Sequence, residues 1–224
     1  MKALTIIYLL TLIISAPTFA QVENMNFNPQ MIGGTYQNNT INSNSLNGYE
    51  NIKGSIYLFK NWYNKSTITS ETNKKFTIAN LNYNLNDGTF IAKLSKDSVY
   101  VFQNIKSVKM NNFLFVKLES GFYEQLVNGK KLNLYKKHSG KLKKPIFNKM
   151  TNQQIKAAEF VKTEEYFYLY KNDQLKELKL KKASILKLMS THKNTIKKYT
   201  KENRLSFKKE SDIVKIFKQY NKLK

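Results

Sequence analysis

The stretch FTIANLNYNLNDGTFIAKL, residues 76–94, decides the fold class. Phe76 and Ile78 share one face of an extended segment, while Leu81, Tyr83 and Leu85 share the other parity. An apolar period of two predicts half-buried strands, and the slip at Ala79–Asn80 predicts a bulge or a corner. Asp87–Gly88 is a strong hairpin turn. Phe90, Ala92 and Leu94 then fall on one face of the returning strand. The segment is an antiparallel pair.

The pattern continues on both sides. Order is expected to begin near Gly54 with SIYLF. SVYVF, IKSVKM, FLFVKL, FYEQLV and KLNLYKK follow the opening segment with short polar breaks, and Asn128–Gly129 is a second hairpin signal. EEYFYLYK and QLKELKL, joined at Asn172–Asp173, read as one more hairpin. Strands this short and regular predict an antiparallel sheet forming a partly closed barrel or a sandwich. Residues 139–164 lack a clear period and read as a long basic loop, in which Thr151 and Gln154 could cap a helical turn.

From residue 183 the period changes. Ile185, Leu188, Met189, His192, Ile196 and Tyr199 fall within an arc of about 100°, with Lys187, Lys197, Lys198 and Lys201 opposite. Ile213, Ile216, Phe217, Tyr220 and Leu223 form a second stripe, opposed by Lys215, Lys218 and Lys222. Glu210 and Asp212 suit the start of that helix, where the macrodipole favours acids. The class is therefore α+β, a β-rich body (53–182) closed by a basic helical pair (183–224).

Residues 1–20 have the layout of a secretory signal peptide. Lys2 precedes an apolar run at 4–14 that is too short to span a bilayer, and Thr18 and Ala20 are small residues before a cleavage point. Export to the periplasm or the exterior follows. Residues 21–52 (…NPQMIGGTYQNNTINSNSLNG…) carry too few apolar side chains to bury and read as a flexible leader. The chain has no cysteine, which removes a lipobox, disulfides, thiol catalysis and sulfur-held metals together.

The formal charge is +23, and residues 131–224 hold 26 Lys/Arg against 8 Asp/Glu. AT-rich codon usage accounts for part of the lysine excess, though not for the scarcity of acids. A positive field of this kind favours anionic partners: glycolipid, acidic polysaccharide, an envelope protein or nucleic acid. Sequence-specific nucleic-acid recognition is disfavoured, since base readout leans on arginine and the chain has one, Arg204.

The segments GSIYLFKNW (54–62), LNYNLNDGTF (81–90), FYEQLVNGKKLNLYKKH (122–138) and the run from EEYFYLYKND through IKKYTKENRLSFKKE to the end together resemble a group of uncharacterised secreted proteins of Bacteroidota, of the flavobacterial kind. The resemblance implies a signal peptide, a β-rich body and a basic helical end. It carries no catalytic residue, substrate or cofactor.

Candidate chemistry is sparse. His138 and His192 lie 54 positions apart with no metal-ligand spacing around them. His192 belongs to the apolar stripe as a core-edge residue, and His138, among lysines, reads as solvated. There is no GxSxG, GxGxxG or P-loop, and the Ser-x-x-Lys matches (Ser184/Lys187, Ser206/Lys209) are what 37 lysines produce by chance. Glu119, Glu124, Glu164 and Glu165 are the acids an enzyme would draw on, and Glu119 or Glu124 beside His138 in a cleft would be its sign. In YFYLY (166–170), Phe167 and Leu169 are expected inward and the tyrosines at the rim. The strongest feature is KKYTKENRLSFKKE (197–210). It reads first as the solvated lysine face of helices whose apolar stripe docks on the sheet, and in its functional reading as an anion-binding surface centred on Lys197, Lys198, Lys201, Arg204, Lys208 and Lys209. The role expected is non-enzymatic contact with anionic envelope material or a protein partner, with an envelope glycan or lipid hydrolase as the alternative. No cofactor is called for.

Overall fold

The computed structural model describes residues 32–38, 52–62, 65–95, 98–170 and 174–224. The residues read as a signal peptide (1–20) and most of those read as a leader (21–52) lie outside these. Among these residues, fifteen strands form two open sheets, antiparallel but for one short pair, and a small hairpin, and three α-helices follow. Nine strands make the main sheet: β15 (Lys176–Glu177), β14 (Glu159–Tyr170), β11 (Leu132–Lys143), β10 (Gly121–Val127), β9 (Phe113–Leu118), β8 (Ile105–Met110), β3 (Ser66–Ser70) and β4 (Lys75–Ile78) in that order, with β2 (Lys53–Gly54) parallel to β14. The second sheet runs β1 (Gly34–Asn38), β7 (Ser98–Phe102), β6 (Thr89–Lys93), β5 (Leu81–Asn84).

The slip at Ala79–Asn80 is a corner. It separates β4 in the nine-stranded sheet from β5 in the four-stranded one. The two sheets face each other across one apolar cluster in which Leu81, Tyr83, Phe90, Tyr100 and Phe102 meet Ile68, Val108, Met110, Phe115 and Phe122. Because both sheets are open, closure takes the sandwich form. SIYLF is not a strand. It runs antiparallel beside the edge strand β5 of the second sheet, with an isolated bridge from Tyr57 to Asn84, and Tyr57 and Trp62 pack on Ile91, Val99 and Val101.

Beside this sandwich, α1 (Lys182–Leu188), α2 (Lys193–Glu202) and α3 (Glu210–Lys222) cover Leu132, Leu134 and Val127. Even-numbered residues of β11 and β14 face one side. Leu132 and Leu134 enter the helical cluster while Leu142 and Phe160 enter the sandwich cluster, so the helical layer and the second sheet sit side by side on one face of the main sheet.

Several expectations need correction. The loop read at 139–164 is mostly sheet. β11 and β14 pair without a break from Leu132↔Tyr170 to Lys143↔Glu159, and between them β12 (Ile146–Phe147) and β13 (Gln154–Lys156) form a hairpin, with Gln154 in a strand rather than a helical turn. Within the leader, Gly34–Asn38 pairs with β7, and Ile32 is buried in the sandwich. The first helix is broken. Ser190–His192 is a 3-10 turn, and the Leu188 carbonyl, which an α-helix would offer to His192, accepts the Tyr170 hydroxyl at 2.5 Å instead. The tyrosines of YFYLY face the helices: Tyr166, Tyr168 and Tyr170 pack on the helical cluster, while Phe167 meets Tyr123 on the other side.

Candidate functional site

Where the helical layer and the sandwich adjoin, the shared face of the main sheet turns polar. Lys136 and His138 on β11, Glu124 on β10, and Glu164 and Tyr166 on β14 are register neighbours, since Glu124 pairs with Lys136, Lys136 with Tyr166, and His138 with Glu164. Glu124, Lys136 and His138 are each less than 10% exposed. The Lys136 ammonium lies 3.1 Å from Glu124 Oε2, 2.9 Å from Glu210 Oε2 on α3, and 3.8 Å from Glu164 Oε1. It stands where a bound cation would stand among three carboxylates. The Tyr166 hydroxyl donates to Glu210 Oε2 at 2.7 Å, and His138 Nε2 lies 2.7 Å from Glu124 Oε2. Among the described residues no buried side-chain nitrogen or oxygen lacks a partner.

These groups fix one another's charge. Burial alone would favour a neutral Glu124, but the His138 N–H and the Lys136 ammonium together outweigh it and hold the carboxyl below its ordinary 4.5. An ionised Glu124 only accepts, so His138 Nε2 carries the proton of that hydrogen bond. Burial likewise favours neutral Lys136, and is outweighed by the hydrogen bond to Glu210 and the charge of Glu124, which raise it above 10.5. Burial, then Glu210, push the Tyr166 hydroxyl far above its ordinary 10. The result is an ionic seam that ties the first turn of α3 to the sheet.

His138 is therefore buried, not solvated. It also borders a cavity of about 250 Å³ lined by Tyr83, Asp87, Ser120, Lys137 and Ser139. Glu124 meets the histidine as an enzyme would require. However, both ring nitrogens face carboxylates, with Nδ1 3.8 Å from Glu164, and the Ser139 hydroxyl shares its hydrogen bond with Thr163. Glu119 and Glu165 are exposed and away from this cluster. Among the described residues no group of three or more His, Asp or Glu side chains is arranged to hold a metal ion. His192 stacks edge-on to Tyr220 at the helical core's margin.

The six anion-site candidates are all exposed. Lys197, Lys198 and Lys201 lie on α2, and Arg204, Lys208 and Lys209 on the turn into α3. That turn is a Schellman motif: the Leu205 N–H reaches Thr200 O and the Arg204 N–H reaches Lys201 O, with Arg204 at φ 51°. Leu205 and Phe207 anchor it to the helical cluster, and Asp212 accepts the Ser206 N–H at 3.0 Å. Of the six, Lys197 borders a groove of about 590 Å³ between α1 and α2, with Ala183 and Leu186 at its floor and Lys182, Lys187 and Lys193 also on its rim. The rim lysines beyond Lys197 were not among the candidates, because a helical wheel drawn as one continuous helix hides the approach of α1 and α2.

The fold and site define a β-rich α+β protein with an inward ionic seam and an outward lysine face. Comparison of the chain with protein-family models, with curated proteins and with solved structures finds no match in any of the three. Among the described residues no helix is long and apolar enough to cross a membrane.

Proposed function

We propose that this is an exported, non-catalytic protein of the periplasm or exterior that binds anionic envelope material, a phosphorylated glycolipid or an acidic polysaccharide, through the outer side of its helical layer. One observation carries the reading. Residues 178–224 contain 15 Lys/Arg against 3 Asp/Glu, and two of those acids are engaged within the fold: Glu210 holds Lys136 and Tyr166, and Asp212 holds the Ser206 N–H. The third, Glu202, is exposed and lies 3.9 Å from Lys198. What faces outward is almost wholly cationic, around a groove with an apolar floor. The signal-peptide layout and the resemblance to secreted Bacteroidota proteins support export.

Each lysine near an anionic surface contributes about 1 kcal/mol. Reversing Lys193, Lys197, Lys198 and Lys201 to Glu should therefore weaken binding to phosphorylated-glycolipid micelles, or to a soluble acidic polysaccharide, at least tenfold. Raising salt from about 0.1 M to about 1 M, which shortens the Debye length from about 10 Å to about 3 Å, should do the same to the wild type. Binding in neither arm, or binding indifferent to salt and to charge reversal, contradicts the proposal. A hydrolase of envelope glycans or lipids is the second reading, favoured by the Glu124–His138 contact beside a cavity. It requires that His138→Gln abolish a glycan- or lipid-cleaving activity which the four-lysine variant keeps on an uncharged substrate.

A further inference from the structure

At the end of the β11–β14 ribbon remote from the helices, the β12–β13 hairpin forms a two-stranded sheet of its own. The ribbon is anchored at its base, where Ala158 is fully buried and its carbonyl accepts the Lys53 N–H. The loop at the tip is well made: Asn148 N–H donates to Gln153 O, and Asn148 Oδ1 accepts from Met150 N–H at 2.9 Å. Yet the tip presents Ile146 (54% exposed), Phe147 (47%), Met150 (95%) and Ile155 (68%) to solvent. These are four of the seven large hydrophobics exposed among the described residues, gathered within ten positions. Residues 141–158 add five lysines (141, 143, 144, 149 and 156), all exposed, and no acid. Among the described residues, only Lys156 of these five has a carboxylate within ion-pair distance, Glu159 at 3.6 Å.

Apolar side chains held out on an ordered element mark an interaction site. The shape and charge select the partner. A narrow projecting hairpin offers little of the flat area that a stable protein interface needs. It suits a medium that closes around an apolar wedge while lysines on long stems stay at the polar level. We infer that the 144–157 hairpin docks the protein on an anionic lipid bilayer, with Phe147, Met150 and Ile155 entering the interface and the surrounding lysines facing lipid phosphates. This contact is separate from the helical lysine face, which lies at the other end of the ribbon, and either can fail alone.

The cysteine-free chain makes the test direct. Met150→Cys, labelled with an environment-sensitive dye, is compared with Glu119→Cys in the exposed β9–β10 turn. Vesicles of phosphatidylglycerol mixed with phosphatidylcholine should shift the residue-150 dye to the blue and leave the residue-119 dye unchanged. They should do so equally when Lys193, Lys197, Lys198 and Lys201 are all reversed to Glu. Phe147→Ser with Ile155→Ser, both at exposed positions, should weaken vesicle binding roughly tenfold without changing Tm. Three results overturn the inference: no shift at residue 150 while the protein sediments with vesicles; equal binding to phosphatidylcholine alone; or a shift without lipid that grows with protein concentration, which would assign the tip to a second copy of the chain.

Discussion

Lys136 is the residue on which the junction of the two cores depends. A buried ammonium among carboxylates is weak evidence of net stabilisation, because desolvation offsets much of the attraction. Removing it is a different matter, since Glu124 and Glu210 are left facing each other's side of the seam without a counter-charge. Lys136→Met is expected to lower stability by about 3–5 kcal/mol, measured by denaturant unfolding at neutral pH. Glu124 gives the same seam a pH signature. Its folded value is depressed, so its contribution is complete above the unfolded value of 4.5 and is lost as pH falls through the lower folded value. The stability gap between wild type and Glu124→Gln should narrow below about pH 4.5, and a gap that widens there would contradict the assignment. Arg204 is the opposite kind of residue. The other described non-glycine residues at positive φ are asparagines (Asn73, Asn111 and Asn152), which tolerate that region, whereas Arg204 has only the Schellman geometry to hold it there. Arg204→Gly should raise stability by about 0.5–1 kcal/mol in thermal unfolding.

Among the elements, the β11–β14 ribbon shows best what was legible and what was not. The turn chemistry read cleanly: Asp87–Gly88 closes β5 onto β6, with Gly88 at φ 67°. Asn128–Gly129 also marks a real connection, though for another reason. A Cβ on Gly129 would lie 2.2 Å from the Asn221 side chain of α3, so the glycine admits a helix rather than a turn angle. The ribbon itself was missed over 139–143 and 159–164 because each strand passes from one apolar cluster through the ionic seam to the other. In the missed stretches the few apolar residues, Leu142, Phe160 and Val161, stand among Lys141, Lys143, Glu159 and Lys162, too few to set the alternation that signals a strand. Gly140 lowers it further, and its missing Cβ makes room for the Phe160 ring, 2.0 Å from where that carbon would lie. The seam was hidden likewise, since Glu124, Lys136 and His138 become neighbours only once the register of β10 on β11 is known. Asn221 joins the helical element to this ribbon, accepting from the Lys131 and Leu132 N–H groups and donating to Leu132 O. Asn221→Ala leaves those two N–H groups without their side-chain acceptor and should cost about 1–3 kcal/mol, read as a lower Tm.

For the molecule as a whole, one face of the main sheet carries two apolar layers, and the polar groups between them hold the helices in register with the sandwich. The helical layer is architectural on its inner side, where Ile185, Ile196, Ile213 and Phe217 are fully buried. Its lysines are outside because the inner positions are filled, and that same partition leaves them free for an anionic partner. Binding and stability should therefore separate. The decisive measurement sets the affinity for phosphorylated-glycolipid micelles beside Tm, for wild type and for the variant with Lys193, Lys197, Lys198 and Lys201 reversed to Glu. The prediction is an affinity at least tenfold weaker with Tm within about 2–4 °C of wild type, the shift expected from about 1 kcal/mol in a chain of this size. An unchanged affinity at unchanged Tm would contradict the role assigned to the lysine face.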